Sequence, residues 1–330
     1  MTSNRKTTTF LASSEELIND RKEIESGKQQ KAATEAMIES AKEKVYALIE
    51  ELDIKAMEWM STHNAPDRLE QACKCYEQAI QYTRENLYEE NLAERLREYG
   101  KFLQYHNQIH KAEASYLDAL AIYEQLTATL HEAYEAYVAD VLNNLAFLYA
   151  DTQRFVEAEE HCLRALNIYE RLATTQPEIY QKDLAQALNY LCVLYSDMQH
   201  FEKAEKYGLQ ALNIYELLAS TNTEKYGQRY ADALYNIAYF SLFVQKFALA
   251  ETYSHEALKW DKDMDIYPNL APAILLQGRF DEAQQIYLTY KDTHKETFLD
   301  DIDTLKENNA IPEHLIGDIE KIIKLLQQLI

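Results

Sequence analysis

Apolar residues recur along the middle of this chain at the spacing of one helix face. Leu142, Leu145, Ala146 and Tyr149 follow the i, i+3, i+4, i+7 stripe of an amphipathic helix. The polar triplet Asp151-Thr152-Gln153 interrupts the stripe. Periodicity resumes from about Arg154 to Ala173, predicting a second helix of about 30 Å at 1.5 Å per residue. A polar stretch from Thr174 to Tyr180, broken by Pro177, predicts the connector to the next helix pair.

The pattern then repeats with a period of 46. Leu142–Ala173 and Leu188–Ala219 are identical at 19 of 32 positions. Phe155, Phe201 and Phe247 keep the spacing, as do Tyr134, Tyr180 and Tyr226. Small residues mark the places where two helices must cross closely. Gly100, Ala146, Cys192, Ala238 and Ala271 lie on the first helix of successive units. Ala112, Ala158, Ala204, Ala250 and Ala283 follow twelve residues later, and Ala119, Ala165, Ala211 and Ala257 seven beyond those. A bulky side chain at such a position would force the helices apart.

The ends are less regular. Glu43–Met60 and Asp67–Leu87, separated by His63-Asn64-Ala65-Pro66, read as a degenerate first unit. Ser13-x-x-Glu16 fits a capping box ahead of it, and residues 1–12 read as disordered. From Phe247 to Phe280 the spacing shrinks to 33, so the sixth unit is compact, with Pro268 and Pro272 bracketing a reduced first helix. Two further helices are predicted, Phe298–Glu307 and Pro312–Ile330. The second carries Leu315, Ile316, Ile319, Ile322, Ile323, Leu326 and Ile330 on one broad face. A repeat array needs a cap over its last core, and this helix supplies one. The sharper alternative is a homodimer formed through the same face.

Composition narrows the function classes. Only 6 glycines and 5 prolines among 330 residues are too few for the turns of a sandwich or a doubly wound sheet, which favours an all-α fold. A formal charge of −22 argues against nucleic acid and against anionic membrane surfaces. No run approaches the ~18 apolar residues of a membrane span, and no signal peptide is evident, so a cytoplasmic location is the expectation. Cys73, Cys75, Cys162 and Cys192 are too scattered for a disulfide framework. Phosphate-binding, dinucleotide-binding, nucleophile-elbow and HExxH motifs are missing, and His106-x-x-x-His110 reads as an exposed pair rather than a zinc site. The expectation is a protein that is not an enzyme and uses no cofactor or metal.

The small residue, the alanine twelve positions on and the alanine seven beyond that resemble the tetratricopeptide repeat family. The resemblance spans roughly 43–292 and is densest over 92–262. The 46-residue unit exceeds the family's usual 34, so helices or connectors must be longer, and the family's common Trp and terminal Pro are absent. Leu-Asn-Asn-Leu-Ala and Ala-Leu-x-Ile-Tyr make the units most similar to the long, kinesin light chain-like type, which also occurs in bacterial proteins. The resemblance implies a right-handed α-solenoid of about six helix pairs. Residues 1–42 would form an N-terminal disordered segment and helix, 43–292 the array and 293–330 capping helices.

Such an array presents a concave face lined by its first helices. With Leu142, Leu145 and Tyr149 turned inward, that face shows Asp140, Asn143, Asn144, Phe147 and Asp151. The next units show Asn189, Tyr190, Val193 and Asp197, then Asp232, Tyr235, Asn236 and Tyr239. The preceding unit offers Arg97 and Lys101 among glutamates. A side-chain amide both donates and accepts, so a row of them can hold an extended backbone, and the rings add apolar area. By resemblance to kinesin light chains, in which matching asparagines line the cargo groove, that role carries to Asn143, Asn144, Asn189 and Asn236. Tyr190 and Tyr235 replace Asn at the remaining two positions. The competing reading has these amides bonding across helices and tying units together. The candidate groove is Arg97, Lys101, Asn143, Asn144, Phe147, Asn189, Tyr190, Tyr235, Asn236 and Tyr239.

The aspartates on this face make a neutral or basic extended segment of protein or peptide the expected ligand, and an acidic tail an unsuited one. The resulting expectation is a non-enzymatic scaffold or adaptor. The alternatives are a peptide-sensing regulatory receptor, or a sensory subunit for a separately encoded protease or nuclease.

Overall fold

The computed structural model describes residues 31–61 and 67–327. The Ser13/Glu16 capping box, the stretch 1–12, the break at 63–66 and Ile330 lie outside those residues. Among the described residues every regular element is helical. They form two compact units that divide between Tyr134 and Glu135.

The first unit holds α1 (Lys31–Ser61), α2 (Arg68–Asn86), α3 (Glu89–Tyr105), α4 (Ile109–Leu130) and a short 3-10 turn, His131–Tyr134. The α1 face of Val45, Ile49, Leu52 and Ala56 packs on Ala72, Cys75 and Ala79 of α2. Arg95 of α3 donates to both carboxylate oxygens of Asp53 at 2.8 and 2.9 Å, tying α3 back to α1. Where α3 meets α4, the absence of a side chain at Gly100 makes room for the buried Tyr116. A Cβ on Gly100 would lie 2.5 Å from that ring.

The second unit holds α5 (Glu135–Asp151), α6 (Phe155–Thr175), α7 (Pro177–Asp197), α8 (Phe201–Thr221), α9 (Thr223–Phe243), α10 (Phe247–Trp260), α11 (Tyr267–Leu276), α12 (Phe280–Glu307) and α13 (Ile316–Gln327). The long period has a simple origin. α7 and α8 are 21 residues each, joined by three residues, and Asn222 alone links α8 to α9. The predicted connector Thr174–Tyr180 does not exist as a loop. Gln176 is the whole of it, and Pro177 opens α7 in the first turn, where its missing N–H has no helical partner to lose.

Every predicted small position is buried: Ala112, Ala119, Ala158, Ala165, Ala204, Ala211, Ala250, Ala257 and Ala283 are all fully covered. The first helices α3, α5, α7 and α9 stop the same way. Asn107, Gln153, Gln199 and Gln245 sit at positive φ, and the residue after each donates its N–H to the carbonyl five positions back, as Arg154 does to Tyr149 at 2.8 Å. This is the 6→1 bond of a Schellman stop. In the compact unit the position falls to Gly278, at φ +79°, a conformation that costs glycine nothing.

Three expectations at the C-terminus change. Pro272 sits inside α11 rather than beyond it. Phe298–Glu307 is the far half of one 28-residue helix, α12, not a helix of its own. Of the broad final face, Leu315, Ile319, Ile322 and Leu326 are buried but Ile316 is exposed, so this helix covers a narrower strip than expected.

α12 also bends. The rings of Tyr287 and Phe298 are 4.8 Å apart, yet a straight helix would set those residues ~16 Å apart along its axis, more than two side chains can span. The hydroxyls of Thr289 and Thr293, donating to the carbonyls of Gln285 and Tyr290, occupy the stretch between them, a pattern that bends helices. With both halves of α12 available to cover it, α11 is buried from Pro268 to Leu276 without a break. Asp301, on the far half, comes within electrostatic reach of Tyr235 and Tyr239 of α9 and of Tyr287. Burial first, then the Asp301 charge, push the two α9 phenols up to about 12. Burial, reinforced by Asp300, pushes the Asp301 carboxyl itself up to about 7.

Two outcomes follow for stability. Gly100→Ala should destabilise the first unit by about 1–3 kcal/mol through overpacking on Tyr116, read as a lowered urea midpoint. Asp301 keeps its proton in the folded chain to about pH 7 but loses it near pH ~4 when unfolded. Its contribution to stability therefore falls as pH rises through that window. Asp301→Asn should flatten the decline and raise the melting temperature at pH 7.5.

Candidate partner-binding cleft

α5 and α7 are the first helices of successive repeats, and their inward stripes fix their rotation. Leu142, Leu145 and Tyr149 on α5 and Leu188, Leu191 and Tyr195 on α7 are buried. The other sides of the two helices then face a shared cleft lined by Asn143, Phe147 and Asp151 on one wall and Tyr190, Val193 and Asp197 on the other. Ala146, Ala150, Leu194 and Cys162 of α6 complete the lining. The two alanines leave the room. Its volume is about 50 Å³, on a scale where a single water needs ~10–15 Å³.

The chemistry of this lining is one-sided. Phe147 is 47% exposed, and its ring stands edge-on to Tyr190 at 5.8 Å between centroids. The Tyr190 hydroxyl accepts from Gln186 at 2.5 Å. Asn143 is only 8% exposed, and its Oδ1 is sealed from solvent with no hydrogen-bond partner among the described residues. Asp197 is raised above the ordinary carboxylate range by burial and then by the neighbouring charge of Asp151. Burial pushes the Cys162 thiol up to about 12, so it is no nucleophile at neutral pH.

The structure separates the predicted groove residues into five places. Asn143, Phe147 and Tyr190 meet in the cleft. Asn189 and Asn236 pair with each other, Nδ2 of Asn236 donating to Oδ1 of Asn189 at a long 3.5 Å across α7 and α9. Tyr235 and Tyr239 lie half-buried beside Asp301 of α12. Arg97 and Lys101 belong to the first unit, where Arg97 pairs with Glu94 and Glu98 and Lys101 with Glu98. Asn144 is half-buried on α5.

Asp140, expected on the open face, instead accepts the Tyr169 hydroxyl at 2.5 Å. Glu94 takes the Tyr123 hydroxyl in the same way one period earlier, at 3.1 Å. His106 is half-buried with its ring edge on Phe102, leaving His110 as the exposed member of that pair. Among the described residues no His, Cys, Asp and Glu side chains are grouped to hold a metal ion. Among them, too, no helix is long and apolar enough to cross a membrane.

Sequence reasoning named Asp151 and Asp197 as charges on a face but missed that they belong to one cleft. Their signal was present: they are 46 residues apart, hence at the same level of neighbouring helices.

Residues 137–217 match the tetratricopeptide repeat family model. No curated protein matches the chain. Among solved structures, aspartyl phosphate phosphatase F from Bacillus subtilis aligns over 92% of this chain and 76% of its own, with 16% identity and a TM-score of 0.58. The apo form of RapI aligns over 85% and 97%, at 16% identity and 0.56. BtubC (BKLC) from P. vanneervenii aligns over 74% and 89%, at 19% identity and 0.52. At these identities the likeness is one of fold, an all-α stack of helix pairs. The repeat model is matched over 137–217, and the same helix-pair construction continues on either side of that stretch.

Proposed function

We propose that the chain is a non-enzymatic interaction module whose second unit holds an extended segment of a partner protein against α5, α7 and α9. One observation carries this reading. The α5–α7 cleft keeps a large ring half out in water beside a buried amide oxygen that no described residue satisfies. Leaving such an acceptor unpaired costs roughly 1–3 kcal/mol, which a partner's donor would recover once the amide turns toward the cleft. Phe147 and Tyr190 supply rigid apolar area, which anchors interfaces at little entropic cost. The kinesin light chain-like assignment rests on the sequence resemblance, and its asparagine groove is represented here chiefly by Asn143.

A peptide-responsive receptor is the second reading. It is favoured by the fold match to a Rap protein complexed with Competence and Sporulation Factor, at 15% identity and a TM-score of 0.50. In that case the ligand would be a short free peptide, and binding would be coupled to release of an effector.

Random linear peptides panned against the full chain provide the test. Recovered peptides should bind roughly tenfold or more weakly to Phe147→Ala, with unchanged helical circular dichroism. Unchanged binding both in Phe147→Ala and in the Asn143→Ala, Asn189→Ala, Asn236→Ala triple variant would exclude the groove. A recovered short peptide that raises the melting temperature would favour the receptor.

A further inference from the structure

The groove does not stay open along its whole length. Positions 147, 193 and 239 are one repeat apart and fall on the same line of α5, α7 and α9. Phe147 and Val193 are exposed, but Tyr239 is half-buried. Asp301, on the far half of α12, lies within electrostatic reach of Tyr239 and of Tyr235 one turn earlier. A second tie comes just past the end of that helix, where Nε2 of Gln245, in the turn after α9, donates to the Asn309 carbonyl at 3.4 Å. The far half itself has the form of a docked helix. Phe298, Ile302 and Leu305 recur at i, i+4 and i+7 and are buried, whereas Asp300, Asp303 and Lys306 are exposed. That is the pattern by which an amphipathic helix anchors in a groove.

The fit of this helix is imperfect in a way the repeat interfaces are not. The hydroxyls of Tyr169 and Tyr195 each donate to a carboxylate, Asp140 and Glu159, at 2.5 Å. The Tyr287 hydroxyl, within electrostatic reach of Asp301, is fully buried and pairs with no described residue. Asp197 of α7 also reaches Tyr239, so the acidic helix is held near like charge. An unpaired buried phenol and a desolvated carboxyl both cost stability. The bend, by contrast, is pinned: the Tyr290 ring stacks on Tyr267 at 3.6 Å, and His294 bonds Asp265. The far half can therefore lift while the near half stays in place. We propose that the α9 level of the groove is a helix-docking surface, filled in the free chain by the far half of α12 and yielded to a partner helix that displaces it. The proposal rests on the partner-binding reading of the same groove. The displacing helix carries apolar residues at i, i+4 and i+7 and a neutral polar residue in the place of Asp301, which relieves the charge without losing the anchors.

Hydrogen exchange on the full, unaltered chain is the first measurement. Amides of 298–307 should exchange at least ~10-fold faster than those of α9 and α11, as a segment that opens by itself does. Exchange at the rate of α9 would make the far half part of one cooperative core and overturn the proposal without any variant. The probe for the surface is a fluorescein-labelled peptide copying residues 294–307 with the change Asp301→Asn. It should bind the full chain, speed exchange of 298–307 further, and bind at least ~5-fold more tightly to Phe298→Ala, in which the internal competitor is weakened. Tyr239→Ala should weaken the probe. Probe affinity that Phe298→Ala leaves unchanged or lowers, or a bound probe that leaves 298–307 protected, would sink the displacement. If panned peptides depend on Phe147 but the probe fails to displace the far half, the docking surface falls while the broader reading stands. If the probe displaces it but no panned peptide depends on Phe147, the broader reading falls and the docking surface stands.

Discussion

The structure depends on how closely two helices can approach. Fully covered alanines, recurring where helix pairs cross, let neighbouring backbones come near enough for the larger residues between them to interdigitate. Once that contact is set, the rotation of each helix about its axis is set too, because the alanine face must point at its partner. The opposite face is then fixed without further instruction, and with it the positions of Asn143, Phe147 and Asp151 on α5 and of Tyr190 and Asp197 on α7. Gly100 is the extreme case, where the Tyr116 ring occupies the space a methyl group would need.

The helix-pair architecture was legible in the sequence because its signal is collective. Nine alanines, a 46-residue period and an apolar stripe all demand the same packing, so no single misreading could hide it. The connectors were less legible, since polarity and a proline suit a loop and a helix start equally well. Thr174–Tyr180 turned out to be the end of one helix and the first turn of the next. The bend in α12 was illegible for a related reason: no Gly or Pro marks it, and only the tertiary contact of Tyr287 with Phe298 shows it.

The candidate site was legible in part. Residue type placed amides and rings on one face, but an amide's use depends on what lies opposite. Asn189 and Asn236 found each other, Asp140 found Tyr169, and Asn143 found nothing. Such outcomes turn on a few tenths of a nanometre between helices, which spacing along the chain does not encode. The bent half of α12 likewise brings Asp301 toward Tyr235 and Tyr239, so the rings that sequence grouped with Phe147 lie in a different electrostatic setting.

One detail bears on how this architecture can change over time. Successive helix pairs of the second unit are joined at Gln176 and Asn222 by a single residue, whereas the two helices within a pair are joined by three residues that include a left-handed turn. Added residues at the tight junctions would shift every downstream alanine out of contact with its partner, while additions at the wider turns would merely lengthen a hairpin tip. Natural variants should therefore accumulate length differences at the wider turns and almost none at Gln176 and Asn222.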